Sequence, residues 1–195
     1  MRMGFRILID EARLATRIQE LAREVASAYE DPLFVVVLDG AKTFASALLE
    51  ALGRDQADLD YVRVRSYVGT ESSGRHEVLR DLDHDVRDRE VVLLEDIVDT
   101  GRTIDFLDGI LRGRGASSVD VWTLLSKPSR RAVHVRLRGT GFEIPDEFVI
   151  GFGMDFDGRY RELPHIAIWS EEGAARAAGK QGHGEAEQQL HSASG

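Results

Sequence analysis

The chain has 195 residues, of which 43% are hydrophobic, so it can bury one sizeable core and is too short for two ordinary domains joined by a linker. Its 34 acidic residues against 25 basic ones give a formal charge of -9, which argues against nucleic acid as a partner. The absence of cysteine excludes disulfides, thiolate metal sites and a cysteine nucleophile. The first apolar stretch ends at Asp10, too short for a signal peptide or a membrane span, so we expect a cytoplasmic protein.

Alternating helices and strands fill the first two thirds of the sequence. In chain order they are a helix capped by Asp10 over residues 10–25, a strand at 33–38, a helix at 43–52, and strands at 62–64 and 91–95, then a helix from 103 and a strand at 119–125. The run at 33–38 is continuously apolar, which is typical of a strand covered on both faces. This order predicts right-handed crossovers and an α/β fold, with a mainly parallel twisted sheet flanked by helices.

Three other segments lack this pattern. Residues 66–74 lose all periodicity and gather glycine and serine, which predicts a mobile loop. The short, glycine-rich pieces over residues 131–169 predict an antiparallel hood, which we expect to form together with the N-terminus. Residues 173–195 are small and polar and predict a flexible tail, which leaves residues 1–172 as the folded domain.

The most informative segment is VVLLEDIVDTGRT at residues 91–103, which ends a buried strand with two acids and continues into a helix. Ligands of open α/β sheets lie at the carboxyl ends of strands. The turn offers backbone N–H groups and threonine hydroxyls to one phosphate, from Thr100, Gly101, Arg102 and Thr103. The carboxylates of Glu95 and Asp96 are suited to accept from the two hydroxyls of an attached ribose. A bare D-T-G-x-T turn also fits a capped helix without a ligand.

Taken whole, this segment resembles the signature that binds 5-phosphoribosyl 1-pyrophosphate (PRPP) in type I phosphoribosyltransferases. Residues 7–169 resemble the hypoxanthine-guanine phosphoribosyltransferases in particular, through Ser66-Tyr67, Asp99, Lys127-Pro128 and the segment 141–161, in that order along the chain. The resemblance implies the type I phosphoribosyltransferase fold and a role in purine salvage. PRPP would react with hypoxanthine or guanine to give IMP or GMP and pyrophosphate, with Mg²⁺ as cofactor, in a homodimer or homotetramer.

The same resemblance implies a role for each matching residue. Lys127 would donate to the purine O6, which rejects adenine, because an exocyclic amine cannot accept that hydrogen bond. Phe148 would stack on the base and the Val149 backbone would meet its N1 and C2 edge. The implied catalytic residues are Asp99, which would face N7 and hold or take a proton there, and Ser66 and Tyr67 of the closing loop.

The leaving group and the metal also have implied ligands. Arg161 would bind pyrophosphate together with the Asp39-Gly40 loop, and Asp155 would help Glu95 and Asp96 to hold Mg²⁺, mostly through water.

The sequence departs from the family at Asp39, where relatives usually carry a basic residue. An acid beside a multiply charged leaving group should repel it. We expect that only the backbone of this loop contacts the ligand, as a family-like cis peptide at Leu38-Asp39 would allow. Replacing Asp39 by Lys should then change pyrophosphate binding little.

Three alternative functions remain open. The chain could be a phosphoribosyltransferase-fold regulator that binds nucleotide and RNA, although its acidic charge argues against that. It could use xanthine or a pyrimidine such as uracil in the same reaction. It could also bind nucleotides without activity, given the acid at Asp39.

Overall fold

The computed structural model of the chain describes residues 5–54, 57–66 and 76–175. The strands in these ranges are β1 (Arg6–Ile9), β2 (Leu33–Leu38), β3 (Leu59–Ser66), β4 (His76–Arg80), β5 (Glu90–Val98), β6 (Ser118–Ser126), β7 (Leu137–Glu143), β8 (Val149–Ile150) and β9 (Ile166–Ile168). The helices there are α1 (Glu11–Ala28), α2 (Ala41–Leu52) and α3 (Arg102–Gly113), and a 3₁₀ turn spans Pro128–Arg130.

In the described part of the chain the main sheet has the order β4-β3-β2-β5-β6-β7. Strand β4 runs antiparallel to β3, and the other neighbours pair in parallel. The predicted α/β fold with a mainly parallel sheet is therefore confirmed. None of the helices in the described ranges is both long and apolar enough to cross a membrane.

Strand β2 shows why a continuous apolar run marks the centre of this sheet. Phe34 and Val36 pack on one face, in the core cluster that also contains the buried residues of α1 and α2. Leu33, Val35 and Val37 pack on the opposite face, with the buried residues of α3. Because successive side chains of a strand point to opposite faces, both faces of β2 need apolar residues.

A separate, smaller sheet of order β1-β9-β8 is antiparallel throughout. It contains the N-terminal strand and parts of the predicted hood. Strand β7, however, pairs in parallel with β6 in the main sheet, so the prediction of an antiparallel hood over all of 131–169 is wrong for Leu137–Glu143. A Cβ at Gly139 would lie 2.1 Å from the Trp122 ring, so only glycine leaves room for that ring. The same glycine weakens the strand pattern in the sequence.

The chain remains packed beyond the predicted end of the folded domain. Gly173 is buried, and Ala174 packs against the cluster of Phe5, Ile150 and Ala167, which contradicts a tail that starts directly after Glu172. The rest of the predicted tail, residues 176–195, lies outside the described residues, and so do residues 67–74 of the predicted mobile loop.

Candidate active site

The carboxyl ends of β2, β5 and β6 meet at one edge of the sheet because these strands are parallel neighbours. The segments that follow them form a cleft of about 370 Å³. It is lined by Asp39, Gly40, Asp96, Ile97, Asp99, Lys127, Phe148, Val149, Met154, Asp155 and Arg161. Residues that are far apart in the sequence are thus brought to one place by the topology of the sheet.

A second cleft of about 270 Å³ adjoins the first. Among its lining residues are Glu95, Thr100, Gly101 and Thr103 at the start of α3. Asp96, Ile97 and Asp99 line both clefts, so the two form one continuous surface. We call the first the base cleft and the second the phosphate cleft, after the ligands that the family resemblance implies for their residues.

The turn into α3 gives the phosphate cleft its shape. Gly101 has φ +84°, a left-handed conformation that favours glycine, and a Cβ there would lie 3.2 Å from the Val133 carbonyl oxygen. The first helical bond of α3 runs from the Asp105 N–H to the Gly101 carbonyl at 2.9 Å. The N–H groups of the preceding residues are therefore at the positive end of the helix, where an anion is stabilised.

Glu95 and Asp96 form a carboxyl pair at the floor of the two clefts. Burial raises the pKa of Glu95 well above its usual value, and the adjacent charge of Asp96 raises it further. Burial also raises the pKa of Asp96, although hydrogen bonds from Glu95 and the Ile97 N–H act in the opposite direction. Protonation of Glu95 is therefore favoured when the site has no ligand, since two buried charges side by side are costly.

Gly40 lies between this pair and the small sheet. A Cβ at Gly40 would stand 1.8 Å from Asp96 Oδ2, and a Cβ at Gly153 would stand 2.6 Å from the Gly40 carbonyl oxygen. The peptide bond between Leu38 and Asp39 is cis, as the family resemblance implied. The backbone of this loop is therefore in direct contact with both sides of the cleft.

The other end of the base cleft holds a buried cation and an exposed ring. The Lys127 side chain is 9% exposed, and its Nζ lies 3.8 Å from Asp146 Oδ1, beyond hydrogen-bonding distance. Phe148 is 52% exposed and meets Phe156 edge to face, with ring centroids 5.7 Å apart. A planar ligand can stack on that free ring face while it accepts a hydrogen bond from Lys127.

Asp99 is held from two directions by consecutive arginines. Arg130 Nε donates to Asp99 Oδ1 at 3.1 Å, and Arg131 Nη1 donates to the Asp99 carbonyl at 3.0 Å. Arg131 also donates to Ser126 Oγ at 2.9 Å, which ties the loop to the end of β6. The first contact fixes the carboxylate and the second fixes the backbone.

Asp155 and Arg161 are in contact with each other at the mouth of the base cleft. Arg161 Nη2 lies 2.7 Å from Asp155 Oδ1, and Arg161 Nη1 donates to the Gly153 carbonyl at 2.6 Å. Among the described residues, no group of three or more His, Asp or Glu side chains is arranged to hold a metal ion. A metal here would need oxygen ligands from a substrate or from water.

Most of the predicted site residues in the described ranges line the two clefts, but Arg102 and Ser66 do not. Arg102 is exposed and is absent from both linings, and Ser66 pairs with His76 at the exposed end of β3. Tyr67 lies outside the described residues. Sequence reasoning missed Ile97, Met154, Arg130 and Asp146. Ile97 and Met154 each adjoin a predicted residue, whereas the ion pairs of Arg130 and Asp146 depend on tertiary contacts that no local pattern indicates.

Comparison with known proteins gives one consistent result. The phosphoribosyl transferase domain family matches residues 8–157. The chain is 39% identical over 166 residues to a hypoxanthine-guanine phosphoribosyltransferase of Bacillus subtilis, covering 84% of this chain and 92% of that protein. It is 42% identical over 170 residues to the bifunctional protein TilS/HprT of Listeria monocytogenes, covering 86% of this chain but only 26% of that longer protein.

A solved structure agrees with these sequence relatives. The crystal structure of a hypoxanthine phosphoribosyltransferase from Staphylococcus aureus superposes with a TM-score of 0.80 at 34% identity. The superposition covers 85% of this chain and 91% of that one. The likeness in fold therefore extends over most of both chains.

Proposed function

The chain belongs to the hypoxanthine-guanine phosphoribosyltransferases, and on that premise we propose that it transfers the 5-phosphoribosyl group of PRPP to hypoxanthine or guanine in purine salvage. One observation carries the proposal. A cleft with a buried Lys127 and an exposed Phe148 adjoins a second cleft at the turn into α3, and Asp96 and Asp99 line both. A base and a sugar phosphate would therefore meet beside those two carboxyl groups.

The phosphate cleft suits the ribose 5-phosphate part of PRPP. The N–H groups and hydroxyls of Thr100 and Thr103 surround a position at the N-terminus of α3, where they would bind the 5-phosphate. Glu95 and Asp96 would accept hydrogen bonds from the ribose hydroxyls. Binding polar groups there offsets part of the cost of burying the two carboxyls.

The base cleft suits a 6-oxopurine. Lys127 Nζ would donate to O6. This role is supported by its burial, because Asp146 Oδ1, at 3.8 Å, is the one carboxylate oxygen of the described residues that pairs with it. Phe148 would stack on the purine, and the Val149 backbone would meet the N1 and C2 edge. Adenine would leave the Lys127 ammonium without an acceptor, which is costly in a buried site.

The reaction is a displacement at the anomeric carbon of the ribose. The purine N9 forms a bond to that carbon while the bond to the pyrophosphate oxygen breaks, and pyrophosphate leaves with the electron pair of that bond. Asp99 would face N7 and hold or accept the proton that the purine must lose. The clefts contribute alignment of the two reactants and exclusion of water that would hydrolyse PRPP.

The charge of the base cleft fits a divalent cation. The lining of the base cleft contains two cations, Lys127 and Arg161, and four aspartates, which are Asp39, Asp96, Asp99 and Asp155. The proposed leaving group is a polyanion, so a divalent cation would reduce its repulsion by these aspartates. Mg²⁺ typically uses one or two protein carboxylates and completes its coordination with water and phosphate oxygens. Asp155, Glu95 and Asp96 are the residues that would hold it. When bound, Mg²⁺ would neutralise the charge of the departing pyrophosphate.

Two further properties belong to the same proposal. One is a homo-oligomeric state, which the family resemblance implies, and the other is a cytoplasmic location. The base that is preferred among hypoxanthine, guanine and xanthine depends on the C2 substituent, which would face backbone rather than a side chain.

The role of Asp99 provides the test of this function. Replacing Asp99 by Ala should lower kcat by about 10² to 10⁴ with little change in the Kd for PRPP, because the proposed partner of Asp99 is the base. Asp105→Ala is the matched control, since Asp105 is an exposed acid on the first turn of α3 and lines neither cleft. Equal activity in Asp99→Ala and the wild type would remove Asp99 from the mechanism.

A further inference from the structure

Four charged side chains of alternating sign connect Lys127 and Asp99, which both line the base cleft. Lys127 Nζ lies 3.8 Å from Asp146 Oδ1, Asp146 Oδ1 lies 3.6 Å from Arg130 Nε, and Arg130 Nε lies 3.1 Å from Asp99 Oδ1. The two ends of this series are the proposed partners of the purine O6 and N7. The middle of the series, Arg130 and Asp146, has no place in the mechanism described above.

The local backbone explains why Arg130 reaches the site. The 3₁₀ turn at Pro128–Arg130 has Lys127 as its N-cap, and the Arg130 N–H donates to the Lys127 carbonyl at 3.1 Å. In a 3₁₀ turn, side chains three residues apart lie on the same side. Lys127 and Arg130 therefore lie on the same side of the turn, where Asp146 Oδ1 is 3.8 Å from the first and 3.6 Å from the second. Pro128 at the first position favours this conformation.

The contact with Arg130 orients the Asp99 carboxylate. Oδ1 accepts from Arg130 Nε, whereas Oδ2 accepts no hydrogen bond from any residue in the described ranges. One oxygen is thus fixed, and the other is left for a ligand. Arg131 acts differently. It donates to the Asp99 carbonyl and to Ser126 Oγ, so it holds the backbone of Asp99 and does not contact the Asp99 carboxylate.

The Arg130–Asp99 ion pair is partly exposed, so its strength depends on whether a ligand covers it. Arg130 is 47% exposed and Asp99 is 38% exposed, so in the free protein water screens their attraction. A purine stacked on Phe148 would exclude water from the side of the base cleft where Asp99 lies. The attraction between Arg130 and Asp99 would then increase, because the local dielectric constant falls. The contact would therefore gain strength when the base is bound.

We propose that Arg130 is a positioning residue, which orients the Asp99 carboxylate toward the purine and is joined through Asp146 to Lys127. The proposal rests on the proposed transferase function. It gives the base cleft a fixed arrangement in which the partners of O6 and N7 are oriented by one connected set of ion pairs. Arg130 acts on kcat through Asp99 and makes no contact with PRPP.

Arg130→Gln, Arg130→Lys and the control Arg136→Gln test this role. Arg136 is exposed in the connection between β6 and β7 and lines neither cleft. Arg130→Gln should lower kcat about tenfold, and the Kd for PRPP should stay within about twofold of the wild type. The expected loss lies between the small effect of removing an exposed ion pair and the larger effect of removing a charge-assisted hydrogen bond. Arg130→Lys, which keeps the charge, should recover part of the loss, and Arg136→Gln should match the wild type.

A double-mutant cycle separates positioning from a general structural effect. In an Asp99→Asn background, Arg130→Gln should change kcat by less than about twofold, because its target is already absent. A tenfold loss in both backgrounds, an unchanged kcat in Arg130→Gln, or a loss confined to PRPP affinity would each overturn the proposal. A wild-type protein without transferase activity would instead overturn the proposed function, and the positioning role with it.

Discussion

The Asp39 carboxylate and the Arg63 guanidinium form an ion pair at the rim of the base cleft, across the parallel strands β2 and β3. Asp39 is 51% exposed and Arg63 is 46% exposed. The acid that departs from the family pattern is therefore paired with a cation and screened by water. Its repulsion of pyrophosphate is correspondingly small.

Asp39→Lys should therefore change pyrophosphate affinity less than tenfold. The substitution removes a charge that Arg63 already offsets, and the new lysine would be repelled by Arg63 toward solvent. Arg63→Gln is the informative companion, because it leaves Asp39 unpaired and should weaken pyrophosphate binding by up to about fivefold. Isothermal titration of pyrophosphate into each variant, with Mg²⁺ present, measures both affinities. A gain of tenfold or more for Asp39→Lys would mean that the side chain faces the ligand directly.

Gly40→Ala should impair PRPP and pyrophosphate binding strongly. The new Cβ would overlap Asp96 Oδ2 at 1.8 Å and Asp96 Cγ at 2.6 Å, so Asp96 would have to leave its position. Gly109→Ala in α3 is a matched control, because a Cβ at Gly109 meets no atom within 4 Å. That control should keep full activity and stabilise the protein by about 0.5–1 kcal/mol. Steady-state kinetics and thermal unfolding distinguish the two, and a fully active Gly40→Ala enzyme would contradict the close packing.

Glu95→Gln should stabilise the ligand-free protein and weaken PRPP binding. The pKa of Glu95 is raised in the folded state by burial and by Asp96. As the pH rises above the ordinary value of 4.5, the unfolded chain loses this proton before the folded one does, so stability falls until the pH passes the folded pKa. The Gln amide does not ionise, so the variant avoids this fall in stability. It also offers the ribose hydroxyls one acceptor oxygen fewer than the carboxylate does.

The gain from Glu95→Gln should thus be larger at pH 8 than at pH 5. A gain of about 1 kcal/mol would raise the Tm by about 2–4 °C in a protein of this size. Thermal unfolding of both proteins at the two pH values measures it, and PRPP titration checks the loss of affinity. An equal change of Tm at both pH values would show that the buried charge is not its cause.

The strands and the turn that lines the phosphate cleft could be predicted because their causes are local. A strand at the centre of a doubly covered sheet needs apolar residues at every position, as 33–38 shows. The segment 91–103 likewise holds its acids, glycine and threonines within one strand and one turn. Their positions in the structure follow from the carboxyl edge of a parallel sheet.

Strand β7 could not be predicted, because its glycines have a tertiary cause. Gly139 admits the Trp122 ring, and a Cβ at Gly141 would lie 2.4 Å from the Leu124 carbonyl oxygen. Both contacts come from the neighbouring strand β6 and leave no periodic signal. The Arg63–Asp39 and Arg130–Asp99 ion pairs were missed for the same reason, since each joins segments more than twenty residues apart in sequence.

The base panel tests the central claim most directly. Purified protein is incubated with PRPP, Mg²⁺ and, in separate reactions, hypoxanthine, guanine, xanthine, adenine or uracil, and nucleotide and pyrophosphate are measured together, with and without EDTA. We expect IMP and GMP to form with equal amounts of pyrophosphate, EDTA to abolish both, and kcat/KM for adenine to be lower by about a hundredfold or more, since Lys127 would lose its acceptor. Adenine or uracil as the best substrate, or no nucleotide from any base, would contradict the account.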